Sequence, residues 1–88
     1  MKLKKDFIKV AALGDRFVVV PVGAESEKNR CVIELNATAA QIYDGIADGL
    51  DESAIAAALA AEYDVAAEKA ARDVALTVEK LKEAGVLE

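Results

Sequence analysis

The stretch Cys31-Val32-Ile33-Glu34-Leu35-Asn36-Ala37-Thr38-Ala39-Ala40 decides how this chain is organised, because the spacing of its apolar residues changes within it. Val32 to Leu35 is short and rich in β-branched residues. Cys31, Ile33 and Leu35 fall on one face and Val32 and Glu34 on the other, which is the alternation of a strand. Asn36 interrupts it, and its side chain can accept a hydrogen bond from the first unpaired amides of a helix. From Ala39 onward apolar residues recur every three or four positions. Strands are therefore expected before this stretch and helices after it.

Upstream, Phe7 to Leu13 reads as a first strand, with Ile8 and Val10 on one face and Phe7 and Lys9 on the other. Gly14-Asp15 suits a tight hairpin turn, with glycine supplying positive φ. Arg16 to Val22 reads as a second strand, apolar on both faces up to Pro21, which cannot donate to a ladder and belongs at a strand end or edge. Gly23 to Arg30 is polar and reads as a loop before the third strand, Cys31 to Leu35. The three strands are expected to form an antiparallel meander with an open edge.

Downstream, a first helix over Ala37 to Asp48 presents Ala39, Ile42, Tyr43 and Ile46, with Gly45 inside it at a cost of about 1 kcal/mol relative to alanine. A second starts at the N-cap candidate Asp51 and presents Ile55, Ala58, Leu59 and Tyr63. A third, about Ala67 to Ala84, presents Ala70, Ala71, Val74, Val78 and Leu81 and stops at Gly85, a suitable C′ residue. The expected architecture is one α+β domain over residues 1–88, winged helix-turn-helix-like: a three-stranded antiparallel sheet followed by three helices.

Composition narrows the function. The chain has 88 residues and a net charge of −5, yet residues 1–30 carry +3 and residues 31–88 carry −8. An acidic helical half opposes the counterion release on which nucleic-acid binding depends. In the third helix Lys69, Arg72, Lys80 and Lys82 are matched by Glu68, Asp73, Glu79 and Glu83. A DNA-binding winged helix is therefore the alternative reading rather than the first. No histidine is present, so Ser-His and Cys-His pairs and the usual zinc ligand sets are not available, and the five glycines are scattered. No catalytic residue, metal site or cofactor is expected. Asp51-Glu52-Ser53 superficially resembles a carrier-protein attachment site, but the strands ahead of it argue against that class. No apolar run approaches the ~20 residues of a membrane span. A single cysteine and the lack of a signal-like N-terminus fit a cytoplasmic protein.

Four sequence blocks in order resemble the PqqD family (coenzyme PQQ synthesis protein D, or RiPP recognition elements). They are Leu35-Asn36-x-Thr38-Ala39-Ala40-x-Ile42-Tyr43, Ala60-Ala61-Glu62-Tyr63-Asp64-Val65, Asp73-Val74, and Leu81-x-x-x-Gly85-Val86-Leu87. Phe17 to Gly23 is also similar to the second strand of standalone members. The sequence departs from the pattern at Tyr43, where tryptophan is common, and at Ala37, where Glu is frequent. At Ala66 an Asp or Ser often caps the third helix, so that cap falls to Asp64 or is missing.

The resemblance implies a non-enzymatic role. Such domains capture the leader of a ribosomally made precursor peptide and present it to a modifying enzyme, often a radical SAM protein. The leader adds as an extra strand along the third strand, in a groove flanked by the third helix. Carried onto this sequence, the strand is Cys31, Val32, Ile33, Glu34 and Leu35, and the helix wall lies between Ala70 and Lys80. About Val74, one flank holds Asp73, Thr77 and Lys80 and the other Ala71, Ala75 and Lys82. Spacing leaves both open; the first, which mixes charge with a small side chain, is the candidate. Proline at Val32 or Ile33 is expected to abolish leader binding. Without a leader, the open edge can also pair with a second copy to form a homodimer.

Overall fold

A computed structural model describes residues 2–23 and 32–88; Cys31 and positions 24–30 of the expected loop lie outside them. Three strands come first, β1 (Phe7–Ala11), β2 (Phe17–Pro21) and β3 (Ile33–Leu35). Three helices follow, α1 (Ala37–Ala47), α2 (Glu52–Tyr63) and α3 (Ala67–Glu83). The sheet is antiparallel in the order β1-β2-β3, so among the described residues β3 has a neighbour on one side only.

The ladder's parity matters for everything that follows. Val22 N–H donates to Asp6 O at 2.7 Å and Ala12 N–H to Arg16 O at 2.9 Å. In an antiparallel pair hydrogen-bonded and non-hydrogen-bonded partners alternate. Even-numbered residues of β2 therefore bond toward β1, and Phe17 and Val19 bond toward Leu35 and Ile33. Glu34, opposite Val18, is left with its N–H and C=O directed at the open edge.

Side chains follow the same parity. Phe7, Val19, Ile33 and Leu35 point inward and are buried, whereas Ile8 and Val10 stay exposed on the outer face. Lys9 also points inward, and its ammonium escapes burial by reaching Asp44 of α1 at 2.7 Å, passing 4.7 Å over the Phe17 ring. β1 stops at Ala11, two residues short of the expected Leu13. The turn is centred on Gly14-Asp15 as expected, with Gly14 at φ 68° and Arg16 N–H reaching Leu13 O, and Leu13 is left at the hairpin tip, 93% exposed.

Asn36 caps α1 through its side-chain oxygen, which accepts from Ala39 N–H at 2.8 Å. Asp51 caps α2 in the same way through Ala54 N–H, also at 2.8 Å. Ala66, ahead of α3, supplies no side-chain cap, and neither does Asp64, which instead ends α2 in the left-handed region at φ 51°. Gly45 is explained by packing: a Cβ there would stand 2.8 Å from Ile55 Cγ1, so only glycine lets α1 and α2 approach this closely.

The core joins Val19, Leu35, Ile42, Val74, Leu81 and Val86, each almost wholly removed from water and each contributing ~1.5–3 kcal/mol of transfer free energy. The helix faces depart from expectation in detail. Ala58, Tyr63 and Ala71 are exposed, and Ala56 and Ala60 pack against the core instead. On an alanine-rich helix with no polar stripe, only Ile55 and Leu59 define the buried side. After α3, Gly85 at φ 79° turns the chain so that Val86 and Leu87 are buried. Leu87 pairs antiparallel with Leu3, tied by Lys4 N–H to Val86 O and Glu88 N–H to Lys2 O, both 2.8 Å.

Candidate functional site

The open edge of β3 faces α3 across a groove of about 630 Å³. Its floor and near wall come from Glu34, Asn36, Thr38 and Ala39, where the strand passes into the first turn of α1. Its far wall is one ridge of α3, comprising Lys69, Asp73, Leu76, Thr77 and Lys80, and Arg16, just ahead of β2, also lines it. The ridge follows from helical geometry: 73, 76, 77 and 80 stand at i, i+3, i+4 and i+7 and so share a face. A second cavity of about 300 Å³ shares Thr38, Lys69 and Asp73 with the groove and runs between α2 and α3, lined also by Leu59, Tyr63, Val65 and Ala70.

Charges in the groove are mostly matched. Arg16 pairs with the Glu34 carboxylate, and Lys69 with Asp73 at 3.0 Å. Lys80 is different: its Nζ donates to the backbone carbonyl of Glu34 at 3.2 Å. That contact confirms the parity argument, since this carbonyl must point away from β2 to meet α3. The groove therefore contains an extended backbone acceptor held by a long, flexible cation rather than by another strand.

Of the candidate residues, Glu34, Asp73, Thr77 and Lys80 are brought together around the groove. Ala71, Ala75 and Lys82 lie outside it on exposed positions. Val32 stands at the entry to β3 with its side chain 60% exposed. Ile33 and Leu35 do not line the groove. Their side chains are buried in the core and their backbone groups bond toward β2, so they support the edge without lining it. The proline expectation changes with this: an imino acid at Ile33 would break the sheet, whereas one at Glu34 would strike the open edge. Cys31 lies outside the described residues. Leu76, Arg16, Lys69, Asn36, Thr38 and Ala39 complete the groove without having been singled out. Leu76 was legible, being three residues after Asp73, four before Lys80 and apolar at a surface position.

The Tyr43 hydroxyl is held above its ordinary pKa of 10.0, by burial first and by the neighbouring Asp44 carboxylate second. Tyr43 does not line the groove.

The fold is thus a three-stranded sheet whose β3 edge, unpaired among the described residues, faces a groove walled by the last of three helices, the geometry that strand addition of an extended segment requires. The chain belongs to the Coenzyme PQQ synthesis protein D (PqqD) family, whose pattern matches residues 18–87. Two solved structures share the fold across essentially the whole chain. One, "Lasso peptide synthetase B1 complexed with the leader peptide", is 30% identical with a TM-score of 0.79, covering 99% of this chain and 95% of that one. The other, "TbiB1 in Complex with the TbiA(beta) Leader Peptide", is 23% identical with a TM-score of 0.80, covering 100% of this chain and 95% of that one. No curated protein sequence matches significantly.

Proposed function

We propose that this domain recognises the leader of a ribosomally made precursor peptide by adding it as a strand to the open edge of β3, and presents it to a modifying enzyme. The observation that carries this reading is the Glu34 carbonyl, turned out of the sheet into the groove between β3 and α3. Family membership and two structural relatives solved in complex with leader peptides support it. The groove's own residues supply recognition and positioning, and the chemistry belongs to the partner enzyme, of which a radical SAM protein is one class.

The energetics are adequate. About four added backbone hydrogen bonds contribute ~0.5–1.5 kcal/mol each. One or two aliphatic anchors, seated against Leu76 or in the cavity beside Tyr63 and Val65, add ~1.5–3 kcal/mol apiece. Ordering a disordered leader costs 2–5 kcal/mol or more. With four well-formed bonds and two fully seated anchors the difference reaches ~7–10 kcal/mol, which corresponds to binding at about the micromolar level or tighter. No feature of α3 favours the DNA-binding alternative, because the basic residues on its groove face are engaged within the domain.

The test is a backbone amide NMR titration with synthetic leaders of precursor peptides encoded beside the gene. Shifts concentrated at Val32–Asn36 and Asp73–Lys80 are expected. A leader that binds without moving those amides would overturn strand addition, and a response to duplex DNA in their place would favour the regulator.

A further inference from the structure

We infer that the groove selects peptides carrying a carboxylate beside the residue that pairs with Glu34, and that Lys80 is the residue that imposes this choice. The inference rests on the strand-addition reading above and specifies its substrate class.

Three cations and two carboxylates line the groove: Arg16, Lys69 and Lys80 against Glu34 and Asp73. Two pairs form, Arg16 with Glu34 and Lys69 with Asp73. Lys80 remains, and among the described residues its recorded partner is a neutral carbonyl, not a carboxylate. A domain of net charge −5 thus presents a groove lined by one excess positive charge. That charge sits on the very atom an added strand must use. An incoming backbone N–H takes the Glu34 carbonyl and displaces the Lys80 ammonium into a groove now roofed by peptide. A cation losing water without gaining an anion is costly, and a charge-assisted bond to Asp or Glu removes that cost.

The helix also sets the spacing. Leu76 precedes Lys80 by one turn on the same ridge and is 59% exposed. Residues four apart on a helix are ~5–6 Å apart. Side chains two apart on a strand share a face and are separated by ~6.5 Å. An acidic residue two positions from an aliphatic one therefore places its carboxylate at Lys80 and its neighbour on Leu76.

The experiment is selection of a random peptide library displayed on phage against the intact domain, repeated with Lys80→Glu and Lys80→Met. Lys80 is exposed on α3, so both variants are expected to fold, which circular dichroism checks. The native domain should enrich Asp or Glu two positions from Leu, Ile or Val. Lys80→Glu should enrich Lys or Arg at that position, and Lys80→Met should lose the charge preference. For a selected peptide, Asp→Asn should weaken binding to the native domain about tenfold (~1.4 kcal/mol) and leave binding to Lys80→Met unchanged. Peptides that shift the Val32–Asn36 amides but show no acidic preference, or the same preference with Lys80→Glu, would overturn the role of Lys80 while leaving strand addition standing. Selected peptides that leave those amides unmoved would overturn strand addition, and the inference with it.

Discussion

Strand parity makes a sharp prediction about proline. At Glu34, proline deletes an N–H that points to the open edge and takes no bond from the β2–β3 ladder, whose bonding residues are Ile33 and Leu35. Its fixed φ is tolerated at sheet edges. The Arg16–Glu34 ion pair is lost too, but both side chains are about 60% exposed, so it contributes ~0–1 kcal/mol at most. Folding stability should therefore fall by no more than about 1 kcal/mol. Leader binding loses one backbone hydrogen bond, ~0.5–1.5 kcal/mol or roughly 2- to 13-fold in Kd, and the pyrrolidine ring further obstructs the incoming strand. At Ile33 the outcome is reversed. Proline there removes a bond to Val19 and truncates a side chain that is 7% exposed, together costing ~2–5 kcal/mol of a total that is only ~5–15 for a domain. Urea denaturation followed by circular dichroism, alongside fluorescence anisotropy with a labelled leader, separates the two. Wild-type affinity in Glu34→Pro, or wild-type stability in Ile33→Pro, would refute the assignment of the edge.

Gly45→Ala places a Cβ 2.8 Å from Ile55 Cγ1 and 3.3 Å from its Cδ1, so an overpacking cost of ~1–3 kcal/mol outweighs the ~1 kcal/mol gained in helix propensity. In an Ile55→Ala background the obstruction is gone, and the same substitution should become stabilising in urea titrations. Ala66→Asp supplies the side-chain cap that α3 lacks and should raise stability by about 1 kcal/mol, seen as a higher urea midpoint with an unchanged slope. The raised Tyr43 pKa means that the unfolded chain releases this proton more readily. Stability from this group is intact below about pH 10 and declines as pH rises through the folded value, and Tyr43→Phe should remove that part of the alkaline loss.

Local signals in the sequence were legible where a single residue type has a single physical use. Asn36, Asp51 and Gly85 mark helix ends because side-chain acceptors and positive φ are needed there, and each does so. The flank Asp73, Thr77 and Lys80 was legible because helical spacing groups it, whichever partner it faces. What could not be read depends on tertiary placement. Alanine at 56 and 60 and alanine at 58 carry the same propensity and apolarity, so only packing against α3 chooses between them. Ile8, Phe7, Val10 and Lys9 give strand alternation without saying which face is inward. The inward face contains the lysine, because Asp44 waits on α1. Ile33 and Leu35 looked like contact residues for the same reason that Glu34 did, being in the strand. The two-residue alternation of backbone direction, fixed by pairing with β2, separates Ile33 and Leu35, which bond toward β2, from Glu34, which faces α3.

Electrostatics and strand length together also bear on self-association, which an unpaired edge invites. β3 is three residues long, and one of them, Glu34, bonds outward. Two copies pairing antiparallel edge to edge around Glu34 would gain few hydrogen bonds. They would also have to dislodge two Lys80 ammonium groups and hold them near one another, while the Glu34 carboxylates that arrive are already paired with Arg16. A leader has neither handicap: it can extend beyond β3 along Asn36 and Thr38 toward the cavity beside Tyr63, and it can bring its own acid. The cation on the edge therefore opposes homodimers more than it opposes peptides. Lys80→Met should shift sedimentation toward dimer at high protein concentration, whereas the native chain should sediment as a monomer. Monomers of both would show that the edge is kept single by its length alone, and equal dimerisation of both would show that Lys80 does not oppose pairing.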